Sequence, residues 1–170
     1  MKIGVISDTH GRFDVQFQDF FADCDEIWHA GDFGGGYMTA AQIASFKPIV
    51  GVVGNCDERG LMYDYPIHRH FEREGLHILM THIGGYPGHY DWRALQLIER
   101  YRPDVFVCGH SHILRVMRDD KFPSATTGTG MLVVNPGAAG VQGFHIVRTA
   151  IRFNLNDKVL SDLEVLNVEL

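Results

Sequence analysis

The amino-acid sequence predicts an α/β fold, and three observations lead to this prediction. Apolar, strand-like segments alternate with segments of helical periodicity through the first half of the chain, which favours parallel strand pairing. Polar residues follow directly after most of the apolar segments. The last third of the chain alternates apolar and polar residues at period two, which indicates antiparallel strands.

Six apolar segments predict strands, and three segments with apolar residues at helical spacing predict helices. The predicted strands are residues 2–7, 26–30, 48–53, 76–81, 104–109 and 131–135. The predicted helices are residues 14–24, 37–46 and 91–101. In the third helix, Trp92, Leu95 and Ile98 form one apolar stripe. Asp91 is its predicted N-cap, and Pro103 follows its end.

The C-terminal segment, residues 143–170, has a turn at Asn156-Asp157-Lys158 between two alternating stretches. We therefore expect antiparallel strands there, with residues 112–120 as a further strand beside them. Residues 68–70 (HRH) lie in another alternating polar stretch, which predicts an exposed strand face. Because the chain contains no linker, repeat or low-complexity tract, we expect residues 1–170 to form a single domain.

Composition limits the possible environments of the protein. The chain has 170 residues, of which 45% are hydrophobic and 21% are charged, as in ordinary globular domains. It contains no apolar run long enough to span a membrane, and it becomes polar by Asp8, too early for a signal peptide. The three cysteines are widely spaced and form no CxxC pair, which favours reduced thiols. We expect a cytoplasmic protein without a membrane partner.

The net charge of −6 argues against a strong nucleic-acid-binding surface, because an acidic protein repels phosphate. Bound divalent cations would reverse the local sign of the charge. The ten histidines of the chain make metal binding worth testing.

Seven side chains that can bind metal follow the predicted strands of the first two thirds. Ligands of open α/β sheets collect at the carboxyl ends of the strands, so we expect these side chains to lie together. Each pattern alone is weak, since DxH and HxH occur by chance and a strand-end Asp is usually a turn or cap residue. The seven candidate metal ligands are Asp8, His10, Asp32, Asn55, His82, His110 and His112.

The residue types of this set also indicate which metal it would bind. Carboxylate, imidazole and amide donors without thiolate suit Mn, Fe, Zn or Ni better than a structural zinc. Seven donors are too many for one ion with an open position, but they suit two ions that share a carboxylate. We therefore expect two divalent metal ions, with Mn²⁺ favoured over Fe, Ni or Zn.

The order and spacing of these residues resemble the five signature blocks of the calcineurin-like metallophosphoesterases, over roughly residues 1–140. The short chain, GNCD at 54–57 and NPGA at 135–138 resemble the small one-domain bacterial and archaeal phosphodiesterase branch. The resemblance implies a four-layer α-β-β-α sandwich of two mixed β-sheets flanked by helices. The matching blocks are Asp8-x-His10, Gly31-Asp32, Gly54-Asn55, His82 and Gly109-His110-Ser111-His112.

The resemblance also implies roles for individual residues. Asp8, His10 and His112 would hold one ion. A second ion would be held by Asn55, His82 and His110, and Asp32 would bridge the two. A hydroxide between the ions would attack phosphorus in line, which implies a metal-dependent phosphodiesterase of small phosphoesters. We expect catalytic roles for Asp32, Asn55, Asp57 and His82, and substrate contacts from Arg12, Asn55 and His89.

Two departures from the family pattern affect these expectations. Cys56 occupies the place where many relatives have the histidine of GNH, which is thought to protonate the leaving group. This change predicts a preference for good leaving groups or diesters. Ile83 and Gly84 follow His82 where HGH is common in this branch, so the shape of the pocket nearby does not transfer.

Other interpretations stay open at this stage. A non-catalytic protein-interaction scaffold is one, because the retromer small subunit is similar to this branch. A thiol hydrolase built on Cys56 is another, and it would need an adjacent base. Arg12 and His89 could be solvated loop residues, and His29 could donate to a ligand carboxylate or pack in its strand. A homo-oligomer is also possible.

Overall fold

The computed structural model describes residues 1–170, and strands make up most of its regular structure. The twelve strands are β1 (Lys2–Ile6), β2 (Glu26–His29), β3 (Ile49–Gly51), β4 (His68–Arg73), β5 (Leu76–Thr81), β6 (Gly85–Tyr86), β7 (His89–Tyr90), β8 (Val105–Val107), β9 (Leu114–Pro123), β10 (Gly130–Pro136), β11 (Val147–Asn156) and β12 (Val159–Glu169). The α-helices are α1 (Val15–Phe21), α2 (Tyr37–Phe46) and α3 (Trp92–Tyr101). A 3₁₀ helix covers Arg59–Tyr63.

Ten of the strands form two five-stranded mixed sheets. One sheet has the order β12-β11-β1-β2-β3, and the other has the order β4-β5-β8-β10-β9. The pairs β1–β2, β2–β3, β5–β8 and β8–β10 are parallel. The other four pairs are antiparallel. Three of them include strands after residue 112, as predicted for the late part of the chain, and the β4–β5 hairpin is an earlier antiparallel pair. The two-stranded β6–β7 sheet was not predicted.

Three apolar clusters hold the layers together, as expected for a sandwich in which each sheet buries one face against the other. Between the sheets lie residues such as Trp28, Ile78 and Phe153. Helices α1 and α2 cover the outer face of the first sheet, and α3 covers the outer face of the second. The structure therefore has the predicted four-layer α-β-β-α arrangement of two mixed sheets flanked by helices.

The predicted strands and helices are present with ends shifted by a few residues, but two details were wrong. Strand β9 pairs with β10 in the second sheet and not with the C-terminal strands, because the short connection 124–129 returns the chain as a hairpin. Trp92 is 61% exposed, and the buried residues of α3 are Ala94 and Ile98. The predicted cap is confirmed, since Asp91 Oδ1 accepts hydrogen bonds from two helix N–H groups.

The carboxyl ends of the parallel strands of both sheets meet at one edge of the sandwich. At the end of β1, the N–H of Asp8 donates to the carbonyl of Gly31 after β2 at 3.0 Å. The two sheets connect there through His82, after β5, whose Nδ1 lies 2.8 Å from the carbonyl oxygen of Ala30. The loops that carry the candidate ligands are therefore neighbours in space.

Candidate metal centre

Five of the seven candidate ligands converge on a buried cluster at this edge, and we call them the inner donors: Asp8, His10, Asp32, His82 and His112. Their ligand atoms form two overlapping groups, each with all atoms within 4.8 Å of one another. One group is Asp8, His10 and His112, and the other is Asp8, Asp32 and His82. Residues that are up to 104 positions apart in the sequence therefore come together, as the strand-end pattern predicted.

The backbone of the ligand loops has an uncommon conformation. Five candidate ligands have positive φ angles, between 45° and 67°, a region that residues other than glycine rarely occupy. Such strain costs on the order of 1 kcal/mol or more per residue and concentrates at functional sites. The left-handed turn lets the chain reverse directly after each strand. The five residues are Asp8, His10, Asp32, His110 and His112.

Two glycines allow the loops to approach the carboxylates. A Cβ atom at Gly54 would lie 2.0 Å from Asp32 Oδ1. A Cβ atom at Gly109 would lie 2.0 Å from Ser7 Oγ and 2.8 Å from Asp8 Oδ2. Any side chain at either position would displace a carboxylate of the cluster, so the glycines beside the ligand motifs serve close approach.

His82 has one ring nitrogen fixed by the backbone and the other free. The carbonyl of Ala30 can only accept, so His82 Nδ1 carries a proton and donates it at 2.8 Å. This leaves Nε2 buried, without a hydrogen-bond partner, and 3.3 Å from Asp32 Oδ2. A backbone acceptor on the far nitrogen is the usual support of a metal-binding histidine.

Asp8 is fully buried, and one of its oxygens also lacks a hydrogen bond. The backbone N–H of His110 donates to Asp8 Oδ2 at 3.1 Å. Asp8 Oδ1 lies 3.1 Å from His112 Nε2 and 3.9 Å from His82 Nε2, but neither contact has hydrogen-bond geometry. Burial opposes ionisation, yet His112 and His82 hold the pKa of Asp8 below its usual value. Cations bound in the cluster would satisfy both Asp8 Oδ1 and His82 Nε2, so the residues fit divalent metal ions.

Asp32 lies between the two halves of the cluster. Its Oδ1 accepts a hydrogen bond from the N–H of Cys56 at 2.8 Å. Its Oδ2 is 3.9 Å from His10 Nε2 and 3.3 Å from His82 Nε2. Burial alone would raise the pKa of Asp32, but the contacts with His82 and Cys56 lower it well below the usual value. Asp32 is therefore an anion with one oxygen turned towards imidazoles on both sides.

The other two candidates, Asn55 and His110, border the cluster from the solvent side, and we call them the outer donors. Both residues are exposed. The His110 ring packs edge to face against His82, with 5.3 Å between centroids. The amide nitrogen of Asn55 lies 3.3 Å from Cys56 Sγ. The structure places both residues beside the inner donors without fixing their side chains to them.

Asp57 and Cys56 follow Asn55 but serve different purposes. The carboxylate of Asp57 accepts hydrogen bonds from the N–H groups of Gly54 at 2.8 Å and Gly34 at 3.1 Å, which ties two ligand loops together. Cys56 is exposed. Burial of its thiol and the nearby carboxylates, Asp32 first, raise the pKa of Cys56. This setting disfavours a thiolate nucleophile.

His29 connects the loops after β1 and β2 through hydrogen bonds, and it has no hydrogen bond with a carboxylate. Its Nδ1 accepts from the N–H of Gly31 at 3.1 Å, so Nε2 carries the proton and donates to Thr9 Oγ1 at 3.0 Å. Burial lowers the pKa of His29 to about 3, and its ring stacks on Phe33. The interpretation of His29 as a donor to a ligand carboxylate was therefore wrong.

Two of the predicted substrate contacts, Arg12 and His89, are not connected to the cluster, and His145 is an unpredicted neighbour of it. Arg12 and His89 are exposed, and neither side chain has a hydrogen bond or ion pair with the seven donors. His145 was expected in a strand, but it lies in the loop before β11 and packs against His112, with 5.2 Å between ring centroids. The glycines around it, Gly140 and Gly143, were the available signal for a loop.

The structure is thus an α/β sandwich of two mixed sheets with a candidate metal centre of carboxylates and imidazoles at the strand ends. The sequence model of the "Calcineurin-like phosphoesterase superfamily domain" matches residues 1–158. The chain therefore belongs to the calcineurin-like phosphoesterase superfamily, whose members are metal-dependent. No protein with a curated description is similar enough in sequence to count as a match.

Solved structures with this fold include an enzyme and a sorting protein. An archaeal phosphodiesterase has a TM-score of 0.71 at 21% identity, covering 99% of this chain and 100% of that chain. Vps29 from Entamoeba histolytica complexed with zinc has a TM-score of 0.70 at 18% identity, covering 99% of each chain. Vps29 from Chaetomium thermophilum has a TM-score of 0.72 at 15% identity, covering 99% and 97%. At these identities the likeness concerns the fold.

None of the helices in the structure is both long and apolar enough to span a membrane.

Proposed function

We propose that this chain is a dinuclear metal-dependent phosphodiesterase that acts on small phosphoesters in the cytoplasm as a single domain. The observation that supports this most is the pair of buried atoms without partners, Asp8 Oδ1 and His82 Nε2, which lie 3.9 Å apart in a cluster of ligand atoms. A buried anion and a buried imidazole left in this way are costly unless cations bind to them.

The proposed ligands of the first ion are Asp8, His10 and His112. Those of the second are Asn55, His82 and His110. Asp32 is the proposed bridge, because its Oδ2 faces a histidine of each set. The mixed donor set without sulfur favours Mn²⁺, with Fe, Ni or Zn as alternatives.

When bound, two divalent ions would supply Lewis acidity for the phosphoryl oxygens and a nucleophilic water at neutral pH. The seven donors carry a charge of only −2, since Asp8 and Asp32 are the only carboxylates among them. Four positive charges against these two leave the site at +2, while the net charge of the chain changes only from −6 to −2. An acidic protein can therefore attract phosphate at this one place.

The outer donors face the solvent side, where a phosphoester would arrive. Asn55 offers an amide oxygen without adding charge, and Asp57 keeps the Asn55 loop in position through Gly54 and Gly34. Cys56, with its raised pKa, is a weak replacement for a protonated imidazole as a proton donor to the leaving group. Good leaving groups and diesters need such a proton least, which supports a phosphodiesterase over a monoesterase.

The test is hydrolysis of bis(p-nitrophenyl) phosphate and p-nitrophenyl phosphate by purified protein with Mn²⁺, with EDTA, and with Asp32→Asn as the control variant. We expect Mn²⁺-dependent hydrolysis with the diester preferred, and loss of both activities in Asp32→Asn. Hydrolysis that persists in EDTA and stops after alkylation with iodoacetamide would instead support the thiol mechanism.

A protein-interaction scaffold is the second candidate, because the fold is shared with Vps29. Large apolar side chains are exposed on the loop beside His112, with Phe144 fully exposed and Ile146 80% exposed. A metal-saturated protein that hydrolyses no phosphoester would favour this candidate.

A further inference from the structure

A cleft of about 710 Å³ begins at the metal cluster and extends along helix α3. Asn55 and His82 line its inner end. One wall is apolar and includes Ile67 and Ile83, both exposed. The other wall is the face of α3 that carries Arg93 and Arg100. The cleft therefore joins the cluster, an apolar surface and two cationic side chains.

The two arginines have no electrostatic partner in the protein. Neither guanidinium has an ion pair or a side-chain hydrogen bond, although the chain carries 21 acidic residues against 15 basic ones. The Arg93 guanidinium lies over the ring of Trp92, and the Arg100 guanidinium lies over the ring of Tyr101. Asp91, the one carboxylate in the lining, is occupied by the N–H groups at the start of α3. Two guanidiniums against one carboxylate leave this wall with a net positive charge, and both guanidiniums are free to pair with an anionic ligand.

The direction of α3 orders these groups relative to the cluster. The N–H of Asp91 donates to the carbonyl of Gly84 at 3.1 Å, so the start of the helix is held beside Gly84, which lies two residues beyond His82. Arg93 is therefore the nearer arginine. Arg100 lies seven residues further on the same helix face, about 10 Å along the axis. A ligand with its phosphorus at the cluster would meet the apolar wall and Arg93 before Arg100.

We propose that the cleft binds one arm of the phosphodiester substrate, and that this arm carries an aromatic or apolar group followed by a second anionic group such as a phosphate. The aromatic group packs against Ile67 and Ile83, and the anionic group pairs with Arg93 or Arg100. This proposal rests on the proposed phosphodiesterase function and adds the substrate class to it.

The form of the cleft favours a short ligand over a long nucleic acid. Two guanidiniums on one helix face can neutralise one or two phosphates, whereas affinity for polymeric nucleic acid needs many such contacts. Planar guanidinium groups also suit bidentate binding of phosphate oxygens, and they lose little conformational freedom when they do so.

The test compares thymidylyl-thymidine with the same dinucleotide carrying a terminal phosphate at its 5′ or 3′ end, in the presence of Mn²⁺. We expect one of the terminal phosphates to raise kcat/KM roughly 10- to 100-fold, the range of a charge-assisted hydrogen bond. The double variant Arg93→Gln/Arg100→Gln should lose this preference. The matched control Arg118→Gln/Lys121→Gln, which removes two exposed charges from β9, should keep it.

A second readout separates this proposal from the proposed function. Protein saturated with Mn²⁺ is titrated with thymidine 3′,5′-bisphosphate and with thymidine 5′-monophosphate by calorimetry. Tighter binding of the bisphosphate, abolished in Arg93→Gln/Arg100→Gln, supports the cleft even if no ester is hydrolysed. Hydrolysis of bis(p-nitrophenyl) phosphate with no effect of a terminal phosphate and no difference in binding would overturn the cleft proposal while leaving the phosphodiesterase intact.

Discussion

The inner and outer donors of the metal centre differ in how firmly the protein holds them. Asp8, Asp32 and His82 are almost completely buried, and each has at least one atom fixed by a backbone group. Asn55 and His110 are exposed, and the backbone supports only the positions of their loops. A site that is rigid inside and adaptable outside can bind metal before substrate arrives and still adjust to different phosphoesters.

Replacing an inner carboxylate should have the largest effect. We expect Asp8→Asn to lower kcat/KM on bis(p-nitrophenyl) phosphate by about 10³-fold or more, since each lost ion removes several kcal/mol of transition-state stabilisation. The increase in Tm on addition of Mn²⁺ should disappear as well. Asp19→Asn, an exposed carboxylate on α1, is the matched control and should behave like the wild type. An Asp8→Asn variant that keeps both properties would contradict the importance of the inner donors.

Replacing an outer donor should reduce activity less and leave the fold unaffected. We expect Asn55→Ala to lower kcat/KM roughly 10- to 100-fold, because water can occupy the place of a neutral, exposed ligand. The Tm of the metal-free protein should stay nearly constant, since exposed side chains contribute about 0.5 kcal/mol or less. A large drop in the Tm of metal-free Asn55→Ala would show that the fold depends on Asn55 and would contradict its description as an outer donor.

The Asp57 carboxylate connects the two regions and should show an intermediate behaviour. An amide has only one acceptor atom, so Asp57→Asn loses the hydrogen bond from Gly54 or Gly34. We expect stability to fall by about 1 kcal/mol. We expect activity to fall about 10-fold because the Asn55 loop is less well positioned. Denaturant unfolding and steady-state kinetics measure the two effects. If the loss of activity in Asp57→Asn instead grows with the pKa of the leaving group across a series of esters, Asp57 transfers a proton to the leaving group.

The smallest change should come from restoring an imidazole beside Asn55. We expect Cys56→His to increase hydrolysis of esters with poor leaving groups about fivefold, a small part of what general acid catalysis can contribute. Esters with good leaving groups should be unaffected. Cys56→Ser is the control. Equal effects on a series of substituted phenyl esters would argue against a missing proton donor at this position.

The inner donors were predictable from the sequence because each directly follows an apolar strand, and parallel strands end at a common edge. The contacts of Asp57 and His29 were not predictable. A polar residue near a metal ligand can contact that ligand or support a neighbouring loop, and the relative placement of the loops decides which of the two it does. Trp92 was assigned to the core because periodicity does not show which face of α3 meets the sheet. The cleft depends on how Ile67 and Ile83 face α3, which no local pattern encodes.

The number of ions bound by the folded chain tests the central claim most directly. Calorimetric titration of metal-free protein with Mn²⁺, with metal content checked after gel filtration, should give two ions per wild-type chain. Because Asp32 is the proposed bridge, Asp32→Asn should retain one ion or none while keeping its fold by circular dichroism. A wild-type chain that binds a single ion, or an Asp32→Asn variant that still binds two with unchanged affinity, would contradict the dinuclear site.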